Sequence, residues 1–144
     1  MIRVNVAEGL GPEWAARLDG LERFRAPVCE AATTRIDGRM LPHEFLRTGE
    51  GYLKVDALHH HDDHFFPGCQ DIAWDYAAAE IEFGFTDLVS KTVQTRLPFY
   101  LVAYLSYRVG YCSMAAESGS DTEKFRLMAG GYAARLRDEI DRLC

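Results

Sequence analysis

Residues 36–75 read IDGRMLPHEFLRTGEGYLKVDALHHHDDHFFPGCQDIAWD, and this run holds most of the side chains able to do chemistry. Within it, EFLR (44–47) and YLKVD (52–56) have strand texture and are joined by Thr48-Gly49-Glu50-Gly51, a pattern that predicts a β-hairpin. Glu44 and Asp56 stand at the two open ends of that hairpin, so strand pairing brings their carboxylates together. Two oxygen ligands on neighbouring strands suit a hard cation such as Mg²⁺, whose shell phosphates and water complete. The run therefore predicts a phosphate-handling site.

Outward from this run, 144 residues are enough for one domain with a core and too few for two ordinary ones. The expected division is 1–36 (N-terminal helix and loop), 37–70 (the hairpin and a His/Asp loop) and 71–144 (helical part). Charged residues at 26% and apolar residues at 48% are ordinary globular composition. A formal charge of −6, with basic residues scattered among acids, argues against a nucleic-acid surface. MIRVNVAEGLGPEW has no basic segment followed by an apolar stretch, and nothing later approaches a bilayer span, so a cytoplasmic protein without a membrane partner is expected. Cys29, Cys69, Cys112 and Cys144 form no CxxC pair and read as buried reduced thiols.

Helical spacing of Trp14, Leu18, Leu21 and Phe24 behind Pro12 predicts a short amphipathic helix, and RAPVCEAATTRIDG reads as loop or extended chain. DIAWDYAAAEIEFGF has the small and aromatic residues of a buried helix whose start Asp71 can cap. LPFYLVAYLSYRVGYCSMAAES and EKFRLMAGGYAARLRDEIDRL give two more core helices, with stripes at Tyr100, Ala103, Tyr104, Tyr107 and Tyr111, and at Phe125, Met128, Tyr132, Leu136 and Ile140. The predicted fold class is mainly α with one small β-hairpin.

In this order of elements the chain resembles the C-terminal lobe of aminoglycoside phosphotransferase-like small-molecule kinases, a kinase-like fold. DGRMLPHEFL stands where that family carries its catalytic loop, LKVD at its metal-binding strand, and PGCQDIAWD at the segment opening the helix beneath the loop. The resemblance implies ATP-dependent phosphoryl transfer to a small-molecule hydroxyl, with Mg²⁺ and ATP as cofactors. It places Asp56 at the Mg²⁺ that bridges nucleotide phosphates and Glu44 where the family has a metal-binding Asn. Asp71 would accept hydrogen bonds from the catalytic-loop backbone and so support the loop. Aligned on Pro42 and Leu46, the position of the family's catalytic Asp holds Arg39 and the nearest acid is Asp37, so one of these two acts at the reacting phosphate. The family's N-terminal lobe, with its Gly-rich loop and strand-borne Lys, has no counterpart in the 36 residues before this segment. A fragment or reduced relative, weak or inactive by itself, is the implied state.

Lys54 alternates with Asp56 along one strand, faces the same side, and can neutralise a cofactor phosphate or pair with an acid. His59, His60, His61, Asp62, Asp63 and His64 are a dense donor tract. Only a subset such as His60 with His64 or Asp62 can converge on one Zn²⁺ or Ni²⁺, and His60 is equally a candidate for cofactor or substrate contact. No serine lies in a GxSxG turn, which removes hydrolase chemistry of that kind. Two alternatives stand beside phosphotransfer. One is a pseudo-kinase or partner-binding module, occupied by a missing N-lobe, a protein partner or a second copy in a homodimer. The other is a metal-binding protein built on His59 to His64.

Overall fold

The computed structural model describes residues 1–55, 68–87, 90–119 and 121–144. The helices are α1 (Ile2–Leu10), α2 (Pro12–Arg17), α3 (Arg25–Cys29), α4 (Ala73–Phe83), α5 (Lys91–Gln94), α6 (Leu97–Ser118) and α7 (Thr122–Leu143). Two strands, β1 (Phe45–Thr48) and β2 (Gly51–Lys54), form an antiparallel sheet. The described residues are thus mainly helical with one hairpin, as the sequence pattern predicts. No described helix is long and apolar enough to cross a membrane.

The chain forms two compact units, one of Met1–Ala26 with Pro98–Cys144 and one of Pro27–Leu97. In the first, α1 packs on α2 and α7. Its buried residues include Val6, Leu10, Leu18 and Leu21 from the N-terminal segment and Tyr104, Leu105, Val109, Leu136 and Ile140 from the long helices. The sequence pattern assigns no element to residues 2–10, whose β-branched Val4 and Val6 favour helix weakly. Packing decides the matter, since Val6 is fully buried and Asn5 Nδ2 donates to the Ser106 carbonyl of α6 at 3.1 Å. The predicted helix over 12–24 is α-helical only to Arg17 and tightens into a 3₁₀ helix over Leu18–Phe24. Asp19 and Gly20, both poor helix formers, lie at the change, and a Cβ on Gly20 would sit 2.9 Å from Cys144 Sγ. Of the aromatic stripe on α6, Tyr104 is fully buried whereas Tyr111 is 42% exposed, meeting Phe125 edge-on at 6.4 Å.

Helix α3, which enters the second unit at Pro27, forms inside the stretch predicted as loop, with Pro27 in its first turn where a missing N–H costs little. The hairpin is present with tighter bounds than its sequence suggests. Thr48 pairs with Gly51, leaving Gly49-Glu50 as the connection, and Thr48 Oγ1 both donates to the Gly51 carbonyl at 3.0 Å and accepts from Glu50 N at 3.3 Å. Helix α4 stops at Gly84, which adopts the left-handed conformation (φ 74) and returns its N–H to Glu80 O. Trp74, Ala77, Ala78 and Ile81 form its buried face. The expectation of four buried cysteines is corrected: Cys112 is buried, but Cys29, Cys69 and Cys144 are exposed, and no disulfide joins them. They stand at a helix end, in a loop and at the last residue, where no apolar layer covers a side chain.

Helical glycines separate close packing from flexibility in the first unit. A Cβ on Gly9 would collide with Cγ1 of Val109, a stiff side chain that is 2% exposed, whereas one on Gly130 meets nothing within 4 Å among the described residues. Gly9→Ala is expected to destabilise the chain by about 1–2 kcal/mol through overpacking. Gly130→Ala should instead stabilise it by roughly 0.5–1 kcal/mol through helix propensity. Urea unfolding of the two variants checks the opposite signs.

Candidate functional site

Among the described residues the segment between Ile36 and Leu41 has no partner strand, so its backbone groups need other acceptors. Its apolar ends, Ile36 and Leu41, are buried, and Gly38 takes a positive φ of 77 that only glycine adopts without strain. Helix α4 supplies the acceptors. Asp75, in its first turn, receives Asp37 N on Oδ2 at 2.7 Å and Gly38 N on Oδ1 at 2.9 Å. Its neighbour Trp74 donates from Nε1 to the Gly38 carbonyl at 2.9 Å. Two adjacent helical residues therefore fix both faces of the loop at Gly38.

Asp71, expected to receive the loop amides, does something else. One turn earlier on the chain, its Oδ1 accepts from Ala73 N at 3.0 Å and from Arg96 Nη2 at 2.9 Å, while Oδ2 takes Arg96 Nε. It holds the start of α4 and the residue before α6, and loop support passes to Asp75. The physical reason is reach: Asp71 precedes the helix and turns its carboxylate onto the helix start, whereas Asp75 lies within the first turn, next to Trp74.

The hairpin brings a cation to the same loop. Lys54 ends β2 opposite Phe45, and its ammonium donates to Asp37 Oδ1 and to the Arg39 carbonyl at 2.6 Å, with Glu44 Oε2 at 3.2 Å. Two of its three N–H groups are thus given to Asp37 and the Arg39 carbonyl, while Glu44 Oε2, buried without a hydrogen bond among the described residues, is paired with it by charge. Arg39 Nη2 donates to Glu44 Oε1 at 2.8 Å, and Asp37 Oδ1 also accepts from Arg39 N at 3.1 Å. Glu44 is held in place by the backbone, its N–H donating to Leu41 O at 2.9 Å and its carbonyl accepting from Val55 N at 2.8 Å. The Glu44 side chain is 2% exposed, Lys54 12%, Asp37 21% and Arg39 39%. The cluster of four is thus most buried at Glu44 and most open at Arg39.

The structure brings together Asp37, Arg39, Glu44 and Lys54, and it leaves Asp71 with a different partner. Asp56, His60 and His64, with the rest of the His59 to His64 tract, lie outside the described residues. Among the described residues no group of three or more His, Cys, Asp and Glu side chains converges as a metal site. Both oxygens of Glu44 face cations, so the described donors do not fit Mg²⁺ as a ligand set, and no chemical step is assigned to a metal here. Asp75, Trp74 and Arg96 were not legible as site residues. Asp71 and Asp75 are four apart and either could meet the loop, and the decision between them rests on where α4 begins.

Three sets of comparisons, with protein-family models, with curated proteins and with solved structures, give no match for this chain. The functional reading therefore rests on its own residues.

Burial pushes the Asp75 carboxyl above its ordinary value of 3.8; the two loop amides pull the other way, the Asp37 charge adds to the rise, and Lys54 offsets part of it. Between 3.8 and the raised value the folded chain holds a proton that the unfolded chain has lost, so stability falls as pH rises through that window. The advantage of wild type over Asp75→Asn should therefore be largest below 3.8, decline with rising pH and then level off. Urea unfolding of both chains across pH checks this, and an advantage that grows with pH would show that the amide bonds outweigh burial.

Removing Lys54 strands buried negative charge. Lys54→Met is expected to cost about 3 kcal/mol or more, and Lys54→Met with Glu44→Gln to recover part of that loss, because breaking one partner of a buried pair is worse than removing both. Chemical denaturation of the single and double variants measures the coupling.

Proposed function

We propose that this chain is a phosphotransferase-like C-terminal lobe that presents loop 37–44 to a nucleotide phosphate, for ATP-dependent transfer to a small-molecule hydroxyl. The observation that supports this reading best is the clamping of the Asp37-Gly38 backbone by Asp75 and Trp74. A loop held from beneath by a helical acid is what phosphoryl transfer needs, since that reaction depends on positioning and charge more than on covalent chemistry.

In this proposal the Asp37 carboxylate is the general base at the reacting hydroxyl. It takes the hydroxyl proton as the oxygen bonds to the γ-phosphorus and ADP leaves, so the products are a phosphate ester, ADP and a proton on Asp37. Arg39, the most open cation of the network, contacts the phosphate. Lys54, assigned to the cofactor from its sequence position, instead positions Asp37 and the Arg39 carbonyl, to which its largely buried ammonium donates. Mg²⁺ enters with the nucleotide, as the resemblance implies, and Asp56 remains the residue proposed to meet it.

A second reading is favoured by a separate observation. Leu46 and Leu53 form a cross-strand pair on one face of the hairpin, and with Val55 they are 54–57% exposed. Apolar side chains grouped in this way suit a partner-binding module that another protein or a second copy covers.

Thermal unfolding with and without Mg²⁺-ATP, together with phosphate transfer to a panel of hydroxyl compounds, tests the first reading. At about 100 times its Kd the nucleotide should stabilise wild type by roughly 2.7 kcal/mol. Arg39→Ala should shrink that gain, while Asp37→Asn should keep it and lose transfer. A cooperative chain that gains nothing from nucleotide defeats the phosphotransfer reading, and a concentration-dependent mass in light scattering would then favour the partner-binding one.

A further inference from the structure

A cleft of about 550 Å³ lies within the Pro27–Leu97 unit, and none of the loop residues from Asp37 to Glu44 lines it. Its walls come from the segment after α3, the start of α4 and the residues around α5. Hydroxyl groups dominate its polar lining, from Thr33, Thr34, Ser90 and Thr92 with the phenol of Tyr76. Ile72 and Val93 also line it. The volume falls in the range of small-molecule sites.

The walls are tied together before any ligand arrives. Thr34 and Gln70 exchange both backbone hydrogen bonds, at 2.7 and 2.8 Å, joining the segment after α3 to the approach of α4. Asp71 follows Gln70 and grips Arg96, which also donates to the Thr92 carbonyl, so the α5 wall is bound to the α4 wall. Preorganisation of this kind lowers the ordering cost of binding.

Charge then selects the class of ligand. Arg96 is the cation lining the cleft, but its guanidinium is neutralised by the buried Asp71 carboxylate. Glu30 adds a negative charge at the wall, so an anion such as phosphate gains little here. Hydroxyls that both donate and accept, set around an aliphatic and aromatic floor, match the two faces of a sugar-like ring. Ser90 Oγ and Thr92 Oγ1 are already 2.8 Å apart, so one hydroxyl polarises the other toward a further partner.

We propose that this cleft binds a neutral polyhydroxylated small molecule of hexose or cyclitol type, its C–H face on Tyr76 and Ile72 and its hydroxyls on the threonines. The proposal is independent of phosphotransfer at loop 37–44. Saturation-transfer NMR on the full chain with D-glucose and myo-inositol, and ³¹P line broadening with inorganic phosphate, which has no carbon-bound protons, test it. Transfer to the protons of at least one polyol is expected, weakened about tenfold in affinity by Thr92→Val, an exposed position, and by Tyr76→Ala. Both variants should leave the thermal response to Mg²⁺-ATP as it is in wild type, so failure here is distinguishable from failure of the nucleotide site. No transfer to either polyol from a cooperatively folded chain, binding of phosphate alone, or polyol binding unchanged in both variants would each overturn the proposal.

Discussion

One half-buried carboxylate, that of Asp75, takes two consecutive backbone amides of the loop at Gly38, and the geometry of the charged cluster follows from it. Backbone amides turned away from water need acceptors, and a segment with no neighbouring strand cannot find them in a ladder. Because Asp75 and Trp74 are adjacent on α4, one donates through its indole to the Gly38 carbonyl while the other accepts the loop amides. The position of the loop is thereby tied to the rigid helix. Asp37 and Arg39, on either side of Gly38, inherit that placement.

The hairpin completes what the helix begins. Lys54 spans from β2 to Asp37 and to the Arg39 carbonyl, and Glu44 closes the circuit by facing Lys54 with one oxygen and Arg39 with the other. Charges this deep are tolerated because each is matched at short range, and removal of any one exposes its partner to an uncompensated desolvation cost. The same matching changes the roles the side chains can take. A lysine that is 12% exposed and donates to two groups of the loop is a spacer and a local charge, and the openness needed to meet a ligand belongs to Arg39 and Asp37.

The unit built from the two chain ends follows different physics. Its helices approach through glycine: Gly9 of α1 lies against Val109, and Gly110 of α6 would place a Cβ 2.6 Å from Asn5 Nδ2. Close backbone approach of this kind leaves no room for a methyl group, so shape rather than charge holds these helices together. Asn5, whose amide reaches the Ser106 carbonyl, adds the polar tie that a purely apolar seam lacks.

Much of the architecture was legible in the residues themselves. Apolar spacing at helical intervals marked α4, α6 and α7, and the Thr48 to Gly51 turn residues between two strand-like segments marked the hairpin, because periodicity and turn chemistry are local properties. The gathering of Asp37, Arg39, Glu44 and Lys54 into one short stretch likewise made them candidates before any fold was known. Their division of labour was not legible. Whether Asp71 or Asp75 supports the loop depends on the starting point of α4 and its height against Gly38, and whether Lys54 meets a ligand depends on how many acceptors surround it. Helix α1 and the Asp71–Arg96 pair were hidden for the same reason, since one is stabilised by burial against distant residues and the other joins positions 25 residues apart. The sequence by itself determined the element types and the chemical inventory, which depend on neighbours along the chain. Tertiary structure alone decided which acid meets which donor, because that is set by distances between segments that only packing brings together.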